Sequence, residues 1–493
     1  MTTPPNILWI CSDQQRFDSL GCYGNSFVRT PNLDRLAAEG TRFTHAFCQS
    51  PVCTPSRASF LTGRYPRTTR TRQNGQNIPA DEVLVTRLLA EGGYSGGLAG
   101  KLHLAAANPS VAPMTEQRIE DGYAEFYWSH TPLPSKYTTT DAAGAESPWQ
   151  GDAYTPWLRS KGLRYSRTPF RGSRYVQTSV PAQDHQTAWC AGMAADFIER
   201  HVGEDRPWFF SVNPFDPHHP FDPPQELLDR YLDRLDEIPL PNYTPGELEE
   251  KPPFQRIDHR QAYNTPGQYP YDEMSAEDHR LLRAAYWSMC DLLDAGVGQM
   301  IEALERTGQR QNTLIIYMSD HGEMLGDHGI YLKGPYFYEP AIRVPLIVSG
   351  PGVVAGQVSA ALVELVDLAP TLLDAAGMAR HPAMQGKSLW PILSGSAPLD
   401  GHRQDIYCEY YNAMPWHRDP EAHLTMLRDD RYKLVVAHGL HTGELYDLAS
   451  DPPETVNQWN NPDYAAVKSD LLLRLCDRMV WTVDPLPARL APW

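Results

Sequence analysis

The sequence predicts an α/β fold: a mixed but largely parallel sheet flanked by helices, followed by a small C-terminal antiparallel sheet with one helix. Three observations carry that expectation. Continuous apolar runs with β-branched and aromatic members recur along the chain, as strands buried on both faces require. Segments of helical periodicity lie between them, the rhythm of strand–helix–strand units. Past residue 400 short strand signals follow one another closely instead.

In chain order, residues 6–11 (NILWIC) form the first apolar run, which ends at Asp13. A helix is expected over 81–93, where Val83, Leu84, Leu88 and Leu89 share a face and a glycine pair stops it. YSGGLAGKLHL then reads as a short strand entering a loop, and WFFSVNPF (208–215) as a strand running straight into DPHHPFDPP. Residues 276–307 predict a long amphipathic helix, 313–322 (TLIIYMSDHG) and 344–350 (VPLIVSG) two buried strands, and 363–377 a helix closed by Gly377. From about 400, DIYCEYY, HLTMLRD and YKLVVAH lead to GELYDLASDPPETVN and a last helix over 463–481. Residues 105–182 and 217–274 break the rhythm; rich in proline and polar residues, they are too long for connectors and predict pocket walls or oligomer contacts. A chain of 493 residues exceeds the roughly 250–300 that one core holds, so a catalytic α/β domain over 1–399 and a small α+β unit over 400–493 are expected.

Charge and cysteine usage narrow the class. The chain has 43 basic and 60 acidic side chains, a net charge of −17, which argues against nucleic-acid and anionic-membrane partners. An anionic small substrate stays open, because screening over about 8 Å leaves local charge in control of a pocket. No run approaches the ~18 apolar residues of a membrane span, and MTTPPNILWICSDQQ lacks the basic start of a signal peptide; a cytoplasmic location is expected. The eight cysteines are scattered without a CxxC pair, as reduced buried thiols are.

Candidate chemistry gathers at strand ends, where open α/β sheets build their sites. Asp13 follows the first strand, and Asp320 and His321 follow the strand TLIIYM. Between Cys48 and Pro66 the chain reads CQSPVCTPSRASFLTGRYP, with Cys53 just before a helix that begins near Pro55 and points its positive end at it. The arginines at 64, 67, 70 and 72 read as solvated surface charge, and Asp327 and His328 as loop-shaping residues.

CTPSRASFLTG resembles the signature of the sulfatase family within the alkaline phosphatase superfamily, whose cysteine is oxidised to formylglycine. NILWICSDQ, GKLHL (100–104), PHHPF (217–221), SDHGEMLGDHG (319–329), LKGPYFYEPAIRVPLIV (332–348) and LYDLASDPPETVN (445–457) resemble family blocks in family order, so the likeness spans nearly the whole chain. Asp13-Gln14 and Asp320-His321 depart from the Asp-Asp and Asp-Asn of the best-known sulfatases and resemble the branch of choline sulfatases, bacterial arylsulfatases and phosphonate monoester hydrolases.

The resemblance implies an alkaline-phosphatase-like sheet and a small-molecule sulfate ester as substrate. It implies a maturation system that converts Cys53, homo-oligomers, and one divalent cation, calcium first and manganese as the alternative. Asp13, Asp320, His321 and residue 53 would hold that ion. Arg57 would hold the oxygens of residue 53, and Lys101 and Lys333 the sulfuryl oxygens. His103 is the candidate base and His218 the candidate acid, with His219 an adjacent competitor; Gln14 and Asn74 are candidate contacts to nucleophile or substrate. The chemical reason for the aldehyde is that its hydrate offers a hydroxyl that loses its proton readily beside a cation. The sulfated hydrate can then expel sulfate by breaking its own C–O bond. Two other readings are a phosphonate monoester or phosphodiester hydrolase with the same site, which the Lys101-x-His103 pair disfavours, and a non-catalytic binding protein in which Cys53 stays a thiol.

Overall fold

The computed structural model describes residues 4–108, 111–132 and 149–487. Eight strands form its central sheet: β1 (Asn6–Ser12), β2 (Thr41–Phe47), β3 (Ser95–Gly100), β4 (Glu125–Trp128), β5 (Trp208–Asn213), β6 (Thr313–Ser319), β7 (Arg343–Ser349) and β8 (Gln357–Glu364). Their order across the sheet is β8-β2-β7-β6-β1-β5-β3-β4. Only β7 runs against its neighbours; every other pairing is parallel. The parallel centre explains the sequence pattern, since β1, β5 and β6 are buried along their whole length and tolerate no polar alternation. Register puts Ser12 opposite Ser319, so Asp13 and Asp320 leave adjacent strands at the same edge.

Helices cover both faces. α1 (Pro31–Ala38), α4 (Gln186–Arg200) and the long α5 (Ala276–Arg306) bury one face with Leu33, Leu36, Trp189, Phe197, Val297 and Ile301. α2 (Cys53–Thr62), α3 (Val85–Glu91) and α6 (Leu368–Ala375) pack on the other with Phe60, Leu61, Leu89 and Leu372. α5 opens on a reciprocal cap between Ser275 and Asp278, which satisfies two helix-end donors at once. All ten residues of α2 are buried, so it shows no amphipathic pattern; it begins at Cys53, two residues before the expected start, and ends at Gly63 with φ 69°.

The C-terminal antiparallel sheet is as expected: β9 (Ile406–Tyr411), β10 (His423–Arg428), β11 (Tyr432–Ala437) and β12 (Thr442–Asp447), in sequence order, with α7 (Ala465–Trp481) on one face. Its other face, through Ile406, Cys408, Tyr410 and Met426, continues the core of the central sheet. Two expectations are corrected here. Residues 363–364 close β8 and the helical turn begins only at Leu365, because the Glu364 carboxylate caps it. Arg64 and Arg67 are not solvated: Arg64 pairs with Glu82 at 3.2 Å and Asp484 at 2.7 Å, and Arg67 with the fully buried Glu409 at 2.7 Å.

A closed charge cluster ties this joint together. Glu364 and Asp367, both wholly buried, accept from Arg478 (2.6 Å), Tyr65 (2.5 Å), Arg403 (3.1 Å) and His402 (3.0 Å) and from the backbone N–H of Tyr407 (2.8 Å) and Lys387 (2.6 Å). Burial alone works against the Asp367 carboxylate, but Arg403 and His402 hold it well below the usual range.

Candidate active site

The ends of β1, β3, β5 and β6, the start of α2 and the loop after β6 converge on Cys53. Its side chain is 1% exposed. Lys333 Nζ lies 2.9 Å from Sγ, His321 Nε2 at 3.2 Å and Asp13 Oδ1 at 3.7 Å. Ligand atoms of Asp13, Cys53, Asp320 and His321 all fall within 4.8 Å of one another. Segments more than three hundred residues apart thus meet where strand register places them.

The second oxygens of both carboxylates are held from behind. Arg57 donates from Nε to Asp320 Oδ2 (2.9 Å), from Nη2 to Asp13 Oδ2 (3.4 Å) and from Nη1 to the Lys101 carbonyl (2.9 Å). Lys101 Nζ donates to Asp13 Oδ2. Arg57 therefore braces the carboxylates, and the described hydrogen bonds of the Cys53 thiol do not include it. Burial opposes the Asp13 anion, yet Lys101, Arg57 and Lys333 hold its carboxyl far below the usual range. Burial and Asp13 likewise disfavour a thiolate, but Lys101, Lys333 and His321 outweigh them and bring the Cys53 thiol down to about 7.

His321 turns Nδ1 to the Gly322 carbonyl at 2.9 Å, which leaves Nε2 facing Cys53 at 3.2 Å and Lys333 Nζ at 3.3 Å. Two carboxylates and an imidazole gathered around one point suit a divalent cation. The ion-holding residues named from the sequence are thus the ones the fold brings together.

Among the remaining expected residues, Lys333 is central. Its Nζ donates to Gln14 Oε1 at 2.7 Å and meets His218 Nε2 at 3.0 Å as well as Cys53. His218, and not His219, touches this lysine; His219 stacks on His218 and lies 3.4 Å from Gln14 Nε2. Burial and Lys333 push both imidazoles well below their ordinary pKa; His218 donates from Nδ1 to the His219 carbonyl at 2.5 Å, which leaves Nε2 to pair with Lys333. His103, held by its backbone N–H to Glu116 Oε2 at 2.9 Å, packs edge-on against His130. Its Nδ1 is buried without a hydrogen-bond partner among the described residues, and burial and Lys101 keep the ring neutral. Asn74 does not face residue 53 with its carbonyl: Oδ1 accepts the Thr54 N–H at 3.0 Å, one of the donors that the first turn of α2 leaves free.

Residues beyond those foreseen also line the site. Glu323 accepts from Gln14 Nε2. Tyr263, from the 217–274 segment, packs edge-on to His219 and beside Trp416 of the C-terminal unit, its hydroxyl buried and unpartnered among the described residues. The Ala413 carbonyl binds the Asn74 N–H at 2.9 Å, so the β9–β10 loop reaches the wall of the site. Glu323 lies within the SDHGEMLGDHG block (319–329), whereas the sequence signal for Tyr263 was the irregularity of its segment and for Ala413 there was none. Asp327 and His328 shape the loop as expected, pairing with Arg16 (2.8 Å) and Glu247 (2.8 Å).

Comparison with known proteins decides the class. The family model described as Sulfatase matches residues 5–378, and a second, described as N-sulphoglucosamine sulphohydrolase, C-terminal, matches 326–480. The chain belongs to the sulfatase family. It is a sulfuric ester hydrolase by that membership. A choline-sulfatase of Rhizobium meliloti is 30% identical over 94% of this chain and 84% of its own length. An arylsulfatase of Clostridium perfringens is 27% identical over 93% and 91%. Among solved structures, the phosphonate monoester hydrolase of Agrobacterium radiobacter is 28% identical with a TM-score of 0.82, covering 99% of this chain and 98% of its own. Among the described residues no helix is long and apolar enough to cross a membrane.

Proposed function

We propose that this sulfatase hydrolyses aryl or alkyl sulfate monoesters, with residue 53 oxidised from cysteine to formylglycine and one divalent cation held by Asp13, Asp320 and His321. The observation that carries the reading is the setting of Cys53, a buried sulfur ringed by Lys333, His321 and Asp13 at 2.9, 3.2 and 3.7 Å. An oxygen in place of that sulfur would meet the same groups. A bound divalent cation, calcium or manganese, would supply a positive charge that lowers the pKa of oxygen ligands.

The chain's own residues divide the remaining work. Lys333 and Lys101 offer cationic donors to the sulfuryl oxygens, a contribution of about 3–4 kcal/mol for one well-aimed donor. Arg57 holds the Oδ2 atoms of the two carboxylates, which leaves Asp13 Oδ1 toward residue 53. The proton for the departing alcohol or phenol oxygen comes from the Lys333–His218 pair, joined at 3.0 Å. His103, neutral and with Nδ1 unpaired, is the base that takes a proton as sulfate is released.

The second reading, a phosphonate monoester hydrolase, is favoured by the TM-score of 0.82 to such an enzyme. Two measurements test the choice. Mass spectrometry of the peptide bearing residue 53, from a host able to perform the conversion, is expected to show the aldehyde; thiol alone would point to a binding protein. Turnover of sulfate and phosphonate esters of one phenol is expected to favour sulfate, and the reverse order would transfer the assignment.

A further inference from the structure

Gln14 sits at the point where the site could fail by half a rotation. An amide's two ends are nearly identical in shape and opposite in chemistry, one accepting and one donating. Here Oε1 receives the Lys333 ammonium at 2.7 Å. Turned over, the amide would present its NH2 group to that ammonium, donor against donor.

Glu323 prevents the turn. It is wholly buried, and its Oε1 accepts the backbone N–H groups of Leu325 (2.8 Å) and Leu332 (2.5 Å). Oε2 accepts from Gln14 Nε2. Both oxygens of Glu323 are thus acceptors in the structure, and Gln14 meets one of them. The same carboxylate grips the loop whose next residue is Lys333, at two positions, Leu325 and Leu332, that carry φ of 48° and 70°.

We infer that Glu323 is a positioning residue for the reaction: it fixes the Gln14 amide with its oxygen toward the reacting centre, and through Gln14 it sets the Lys333 ammonium on residue 53 and His218. The inference rests on the function proposed above for those groups. It goes beyond that function in assigning the orientation of one to a side chain that touches neither substrate nor residue 53.

The test inverts the hydrogen bond. Glu323→Gln keeps an oxygen for Leu325 and Leu332 but turns a donor toward Gln14, so the amide must flip. Its melting temperature should stay near that of the parent while kcat falls about 10- to 100-fold and KM changes far less. In its crystal structure Lys333 Nζ should leave hydrogen-bond distance of residue 14. Gln14→Glu with Glu323→Gln restores the match, because a carboxylate at position 14 accepts both from the amide introduced at position 323 and from Lys333. This double variant should return Lys333 to its place and recover most of kcat, whereas Gln14→Glu alone sets two carboxylates against each other and should not.

Unchanged kcat and an unmoved Lys333 in Glu323→Gln would overturn the inference, as would a double variant no better than the singles. Should Glu323→Gln fail to fold, the double variant against Gln14→Glu alone decides in the same way. A parent enzyme without sulfate-ester turnover would count against the proposed function, while the crystallographic position of Lys333 would still report on Glu323.

Discussion

Two clusters of buried charge lie on opposite sides of α2, and their contrast shows what separates a site from a staple. At the joint, Glu364 and Asp367 meet Arg403 and Arg478, with His402, Tyr65 and backbone donors filling the remaining lone pairs. Charge is balanced and the oxygens are taken. Around Cys53, Asp13 and Asp320 face three fixed cations, Arg57, Lys101 and Lys333, and ligand atoms of Asp13, Cys53, Asp320 and His321 converge within 4.8 Å of one another. The carboxylates are equally buried in the two. What differs is that around Cys53 the cations and the ligand atoms converge on one side chain, the arrangement that welcomes a tetrahedral anion. Both clusters shift pKa values strongly, so a shifted pKa alone does not mark the site.

Substitutions that strike one cluster and spare the other sharpen the contrast. The largest effect belongs to Cys53→Ala, which should cut kcat on the order of 10^6-fold, as loss of a nucleophile does, with no fall in melting temperature; steady-state kinetics beside a thermal melt checks both. Arg403→Ala should do the opposite. It strands two buried carboxylates, at a cost of about 3–5 kcal/mol, read as a lower denaturation midpoint with kcat of the folded fraction unchanged. Its pH signature follows from the direction of the Asp367 shift. A carboxyl held below its unfolded value contributes stability above pH ~4, lost as pH falls towards the folded pKa; the variant should therefore lose its extra stability at neutral pH and converge on the parent in acid. Smallest of all is Arg70→Ala, which removes a largely exposed pair with Asp81 at 2.6 Å and should change stability by about 0–1 kcal/mol and turnover not at all.

The sequence was most readable where one segment decides its own fate. β1, β5 and β6 are buried on both faces and read as apolar runs; the metal-type residues follow from their ends. β2, TRFTHAF, gives no clear sequence signal because polar residues interrupt its apolar ones, in keeping with a burial pattern that mixes buried and half-buried positions. α4 was left unread because QTAWCAGMAADFIER spreads small residues over its contact face. In the site, Asp13, Cys53, Asp320, His321 and Lys333 were legible as motif members. The bracing role of Arg57, the cap supplied by Asn74 and the grip of Glu323 on Gln14 were not, since each is a matter of which atom meets which across the fold. The arginines at 64 and 67 depart from that reading because Asp484 and Glu409, which pair with them, lie more than three hundred residues away, although Glu82 is near Arg64 in sequence.

The order of synthesis gives the burial of Cys53 a temporal meaning. The helix that begins with this residue emerges from the ribosome early, yet the groups that enclose it, His321 and Lys333, are encoded far downstream. At about 5–20 residues per second, roughly a quarter of a minute to a minute passes before the enclosure can form. During that interval the sulfur is open to any agent that must reach it, and afterwards the finished molecule shuts that agent out.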